Sequence, residues 1–113
     1  MHEYSIVQSL LDSCDENAAQ NKATKVTKVV IKIGVMSGVE PELLKTAFDT
    51  FKEKTICEEA ELIINIQPIL IRCNNCLNES ILQKIQYCCP TCKSTELDVL
   101  DGENMYLMQL ELE

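Results

Sequence analysis

The chain has 113 residues, with 18 acidic side chains against 10 basic ones and a formal net charge of −8. That length suits one compact unit and excludes a large multidomain enzyme. An apolar share of 46% excludes disorder by composition, and the acidity argues against a nucleic-acid-binding surface, which needs clustered Lys and Arg.

Apolar residues at Ile6, Val7, Leu10, Leu11, Cys14 and Ala18 fall at three-and-four spacing and predict a helix from about Glu3 to Asn21. From Lys25 to Val35 the period changes to two: Val29, Ile31, Ile33 and Val35 alternate with Lys28, Val30, Lys32 and Gly34, which predicts a strand with one buried face. Gly34 to Gly38 reads as a connection. Pro41 then opens a second helix whose expected apolar stripe is Leu43, Leu44, Ala47, Phe48 and Phe51, with Glu40 at or just before its N-terminus. A second strand covers Leu62 to about Gln67. A last hairpin is expected to join Glu96–Leu100 with Met105–Leu112 through Asp101 and Gly102, the final strand alternating Tyr106, Met108, Leu110 and Leu112 against Leu107, Gln109 and Glu111.

Between the strands, Arg72 to Lys93 holds five of the seven cysteines and few large side chains, so it cannot build an ordinary core. The expected fold is α+β: a two-helix, three-stranded α/β-type unit from residues 1–71 and 95–113, with a zinc-ribbon-like four-cysteine insertion at 72–94. Seven thiols would leave one over in a closed disulfide set, and Met1-His2-Glu3-Tyr4 shows no secretory signal, so a cytoplasmic protein is expected. Clustered cysteines in such a compartment bind metal or perform redox chemistry. No stretch reaches transmembrane length: the most apolar, Leu62 to Ile71, is broken by Asn65, Gln67 and Pro68.

Cys73-Asn-Asn-Cys76 and Cys89-Pro-Thr-Cys92 are two C-x-x-C knuckles separated by twelve residues, a spacing that places four thiolates at the corners of a tetrahedron. Zinc is the metal expected there, since it takes four thiolates without geometric compromise and supplies folding energy. A pair of redox C-x-x-C motifs and a rubredoxin-like iron site share the spacing. Cys89 rather than Cys88 is the expected ligand because it alone leaves the two-residue gap to Cys92. Cys14 reads as a small core residue, and Cys57 has no partner spacing.

His2 is the single histidine. A bulky second residue disfavours removal of Met1, so a free α-amine is expected beside the His2 backbone nitrogen and imidazole. Together these can chelate one ion through fused rings, with Glu3 supplying a further nitrogen or a carboxylate oxygen. Nickel(II) or copper(II) suits such nitrogen-rich, square-planar or tetragonal ligation.

Met1-His2-Glu3, the amphipathic first helix, Val30-Ile31-Lys32-Ile33-Gly34, Glu40 at the start of the second helix and the late paired knuckles together resemble the HypA family of hydrogenase nickel-incorporation proteins, over essentially the full length. The resemblance implies a nickel metallochaperone for [NiFe] hydrogenase and, in some bacteria, urease. It implies nickel at Met1, His2 and Glu3, with Glu40 as a ligand or a partner just outside the ligand set, and structural zinc at Cys73, Cys76, Cys89 and Cys92. It also implies a GTPase nickel-insertion accessory protein and the hydrogenase large subunit as partners, with urease accessory proteins where urease is a client. Cys88 departs from the pattern.

The chain lacks a phosphate-cradling G-x-x-x-x-G-K-[ST] loop, so nucleotide hydrolysis coupled to delivery must belong to a partner, and the expectation is a non-enzyme. Two other classes compete: a zinc-ribbon adaptor in transcription or translation, and a thiol redox enzyme. No membrane association and no nucleic-acid partner are expected.

Overall fold

The structure, a computed structural model, describes residues 3–82 and 88–113, and at Glu3 the backbone only. The elements are α1 (Glu3–Gln20), β1 (Val26–Gly34), α2 (Pro41–Phe51), β2 (Glu61–Gln67), β3 (Ile69–Cys73), β4 (Glu79–Leu82), β5 (Leu97–Asp101) and β6 (Met105–Leu112). They build two helices and two small three-stranded sheets, an α+β architecture.

The apolar face of α1 is buried as its spacing predicts: Ile6, Val7, Leu10, Leu11, Cys14 and Ala18 all face the core. The helix closes with a Schellman motif, Ala23 donating its amide to the Ala18 carbonyl and Lys22 donating to Ala19. Lys22 adopts the left-handed position, φ 55°, that glycine usually takes.

In the first sheet, order β2-β1-β6, β1 runs parallel to β2 and antiparallel to β6. Val26, Val29, Ile31 and Ile33 of β1 pack with Leu44 and Phe48 of α2 and the α1 face. Each such buried side chain contributes about 1.5–3 kcal/mol. Two sequence expectations change here. Leu43 is not part of the α2 stripe: it is exposed, while Leu44 and Phe48 are fully buried and Ala47 and Phe51 pack partly buried beside them, so the way α2 crosses the sheet turns Leu43 outward. Val35 lies past the end of β1 and is exposed.

The alternation of β6 also changes partway along. Val30 pairs with Gln109 but Ile31 pairs with Leu107, so Met108 is an extra residue, a β-bulge. The bulge lets Met105 and Leu107 on one side of it, and Leu110 and Leu112 on the other, pack against the same core.

The second sheet, order β4-β3-β5, is antiparallel throughout, and its own small core is Ile69, Ile71 and Leu82 with Leu97 against them. The expected hairpin between β5 and β6 does not form, because these strands belong to different sheets. Gly102, at φ 105°, turns the chain out of the second sheet and into the first. The connection is pinned to the end of β1 by Met36 donating to the Gly102 carbonyl and Gly34 donating to Asn104. The outgoing crossing, at Pro68, runs alongside: a Cβ on Gly102 would stand 2.8 Å from the Pro68 carbonyl oxygen, and one on Gly34 would stand 2.3 Å from the Gly102 backbone. Gly34, Pro68 and Gly102 thus form a close-packed neck. The radius of gyration, 17.3 Å, exceeds the roughly 13 Å of a spherical domain of this size, as two separate cores require.

Candidate metal centre

Cys73 is the last residue of β3, and the chain turns immediately after it. Leu77 donates its amide to the Cys73 carbonyl at 2.9 Å, and Lys93 does the same to Cys89 at 2.9 Å. The amides of Cys73 and Cys89 donate in turn to the carbonyls five residues on, Asn78 at 3.0 Å and Ser94 at 2.8 Å. Leu77 and Lys93 both take the left-handed conformation, φ 62° and 66°. The two knuckles are therefore built alike, and each turns its sulfurs toward the other.

The Sγ atoms of Cys73, Cys76, Cys89 and Cys92 all lie within 4.8 Å of one another. Cys73 stands 3.5 Å from Cys92, and Cys76 stands 3.7 Å from Cys89. A tetrahedral ion with metal–sulfur bonds of about 2.3 Å, the length zinc prefers, has sulfur–sulfur edges of about 3.8 Å. The donor set and its spacing fit zinc. Amides of Asn75, Thr91 and Cys92 donate to these sulfurs at 3.3–3.5 Å, the first to Cys73 and the other two to Cys89. Cys88 is half-buried and outside the cluster, so the structure brings together the four cysteines in the register that places Cys89 opposite Cys76.

The sulfurs differ in charge preference. The Asn75 side-chain amide, the Ser94 amide and neighbouring thiols hold the Cys92 thiol down to about 6. Cys89 is also lowered, first by the Cys92 amide and then, against its burial, by that of Thr91. The Asn78 amide pulls Cys76 down, but burial and the other three thiols outweigh it and push Cys76 up to about 11. Asn75 is a residue that sequence reasoning did not single out. It belongs to the first knuckle, yet its Nδ2 donates to Cys92 Sγ of the second at 3.5 Å. Its only signal in sequence is an amide side chain inside a C-x-x-C turn.

Cys14 and Cys57 meet in the core, both with no solvent exposure. Their mutual hydrogen bond, then burial, raises Cys14 far above the thiol range, while the same bond lowers Cys57. Cys57, without a role in sequence, is thus a core residue paired with α1.

Of the expected nickel residues, Met1 and His2 lie outside the described residues, as does the Glu3 side chain. Glu40 is the N-cap residue of α2, exposed and extended at φ −89°, and its carboxylate makes no cap hydrogen bond. Beside the first turns of α1 lies an open cleft of about 350 Å³ lined by Ser5, Ile6, Ser9, Ser37, Val39 and the Glu103–Met105 segment. Val39, next to Glu40, and Ser5, two residues after Glu3, therefore share one cleft. Tyr4 packs edge-on against Phe51, ring centroids 4.2 Å apart, which ties the start of α1 to the end of α2. No helix among the described residues is long and apolar enough to cross a membrane.

The fold and the four-cysteine cluster together define a small α+β protein built around a metal-binding knuckle pair. The family model for hydrogenase/urease nickel incorporation, metallochaperone, hypA matches residues 1–112, and the chain belongs to that family. It is similar to the hydrogenase maturation factor HypA of Shewanella baltica (58% identical over 113 residues, all of this chain and 97% of the relative). The HypA of Aquifex aeolicus is 50% identical over 113 residues, covering all of this chain and 98% of that protein. The solution structure of the Ni metallochaperone HypA from Helicobacter pylori superimposes with a TM-score of 0.72 at 34% identity, covering 99% of this chain and 97% of that one. A second HypA solution structure gives a TM-score of 0.77 at 35% identity, covering 100% and 97%. Membership makes the chain a metallochaperone and maturation factor rather than an enzyme, and the zinc-ribbon adaptor reading is not favoured.

Proposed function

We propose that this chain carries nickel(II) on Met1, His2 and Glu3 and hands it on during maturation of [NiFe] hydrogenase, with urease a further client where the host makes one. The observation that supports the reading is the family match, which spans residues 1–112 and so covers Met1-His2-Glu3. The ligands are the Met1 amine, the backbone nitrogen and imidazole of His2 and a donor atom of Glu3. Glu40 serves as a further ligand or as an acceptor just outside the ligand set, a role supported by its uncapped carboxylate and by the cleft that Val39 shares with Ser5.

Cys73, Cys76, Cys89 and Cys92 hold a structural zinc ion in the same reading; the zinc insertion, expected at 72–94, takes in the whole second sheet from Ile69 to Asp101, and the nickel-binding unit keeps the residues on the first-sheet side of Pro68 and Gly102. Zinc there supplies folding energy by cross-linking two turns whose sequence offers little to bury. The partners are a GTPase nickel-insertion accessory protein and the hydrogenase large subunit, with urease accessory proteins for the second client, and the place of action is the cytoplasm. A terminal site suits a carrier, because an ion held at a chain end can be passed to a docked acceptor without opening a core.

Nickel titration of the zinc-loaded protein tests the reading. One nickel per chain is expected, lost in His2→Ala with zinc content and circular dichroism unchanged. Unchanged nickel affinity in His2→Ala would overturn the terminal site.

A further inference from the structure

Tyr4 follows the three proposed nickel residues directly and is the second residue of α1. It is 61% exposed, so burial is not what its ring contributes. The ring instead packs edge-on against Phe51, with the planes at 61°. Phe51 is the last residue of α2 and lies partly buried against the first core. The contact therefore fastens the first turn of α1 to a fixed part of the molecule.

A first turn needs such a fastening. The first four N–H groups of an α-helix have no acceptor within the helix, and helix ends fray. Among the described side chains, the buried face of α1 begins only at Ile6. The opposite flank of the turn offers little hold, since Ser5 is exposed and borders the open cleft by Ser37 and Val39. The ring pair is thus what fixes the Glu3 backbone, from which Met1 and His2 extend.

Resting on the reading that Met1, His2 and Glu3 carry nickel(II), we infer that Tyr4 is a positioning residue for that site, acting through its ring contact with Phe51. It touches no ion. It holds the helix turn at Glu3 in place before nickel arrives, so that the turn does not have to be ordered at the moment of binding. A ligand set ordered in advance gives up less conformational freedom and binds more tightly. The ring supplies this by packing, so the hydroxyl is dispensable.

Nickel titration of the zinc-loaded full chain, with backbone 15N relaxation of the same protein before nickel is added, tests this. Tyr4→Ala is expected to keep one nickel per chain but to weaken its binding about fivefold, the scale of one aromatic pair. Order parameters of residues 3–6 should fall toward about 0.6 in that variant, while those of residues 10–18 stay at the parent value. Tyr4→Phe should match the parent in both measurements. Phe51→Leu, which removes the ring and keeps the core filled, should behave as Tyr4→Ala does, and the double variant should lose no more than either alone. Parent affinity in Tyr4→Ala overturns the inference. So does a Tyr4→Phe as weak as Tyr4→Ala, which would give the role to the hydroxyl, or a loss of order spread through all of α1. His2→Ala, run alongside, separates the two readings: if it binds nickel as the parent does, the terminal site and the Tyr4 role fall together, and if it binds none while Tyr4→Ala binds normally, only the Tyr4 role falls.

Discussion

Lys32 and Asp101 form an ion pair across the neck between the two sheets, Nζ to Oδ2 at 2.7 Å, with both side chains largely sheltered. Lys32 lies on β1 of the first sheet and Asp101 ends β5 of the second, and the Lys32 ammonium also stands 5.2 Å from the centre of the Tyr106 ring. The pair is the polar counterpart of the glycine contact at the same neck.

The Lys32 ammonium, then the Gly102 amide, hold the Asp101 carboxyl below its ordinary value of 3.8. A carboxyl lowered in the folded state adds stability that is complete above that ordinary value and is lost as pH falls through the lowered one. Asp101→Asn is therefore expected to be less stable than the parent to urea at pH 7, with the difference shrinking below about pH 4. A difference that stays constant down to pH 2 would contradict this role.

Gly34→Ala should be the most damaging small substitution at the neck. The added methyl meets the Gly102 carbonyl carbon and oxygen at 2.3 Å, both backbone atoms that cannot swing aside. A loss of about 3 kcal/mol is expected, read as a fall of at least about 10 °C in Tm. A shift of a degree or two would mean the neck is looser than the backbone contacts require.

Cys88→Ser should retain one zinc per chain, while Cys89→Ser should lose it. Cys89 is fully buried with two amides aimed at its sulfur, and Cys88 is outside the cluster. Metal analysis of the two purified variants decides the register, and zinc loss from Cys88→Ser alone would reverse it.

Asn75→Ala removes the first of the donors that favour a Cys92 thiolate. The thiol then rises from about 6, and protons compete for it at higher pH. Zinc release on acidification, followed with a colorimetric chelator, should move upward by about half a pH unit. Asn75→Asp, which puts a negative charge beside the sulfur, should move it further; an unmoved midpoint in Asn75→Ala would show that the amide contributes nothing.

Local signals were legible where the physics is local. The spacing of Ile6 to Ala18 gave the buried face of α1, Pro41 and Glu40 marked the start of α2, and the two-residue gaps placed the four clustered thiols. The misreadings all come from long-range contacts. Asp101-Gly102 carries the signature of a hairpin turn, and only the packing of Gly102 on Pro68 and Gly34 sends the chain into the other sheet. The bulge at Met108 has no sequence mark because it answers to β1. Leu43 and Leu44 are alike in isolation, and the crossing of α2 over the sheet decides which one is buried. Cys57 and Asn75 acquire their roles from Cys14 and Cys92, 43 and 17 residues away.

Nickel carriage at the chain start is tested most directly by adding two residues before Met1, which turns the α-amine into an amide and leaves His2, Glu3 and the four-cysteine cluster intact. Isothermal titration of the zinc-loaded proteins with nickel(II) at pH 7.5 is expected to show one nickel per parent chain and at least a tenfold loss of affinity in the extended one. Equal affinity in the two proteins would exclude the Met1 amine as a ligand and contradict the terminal site.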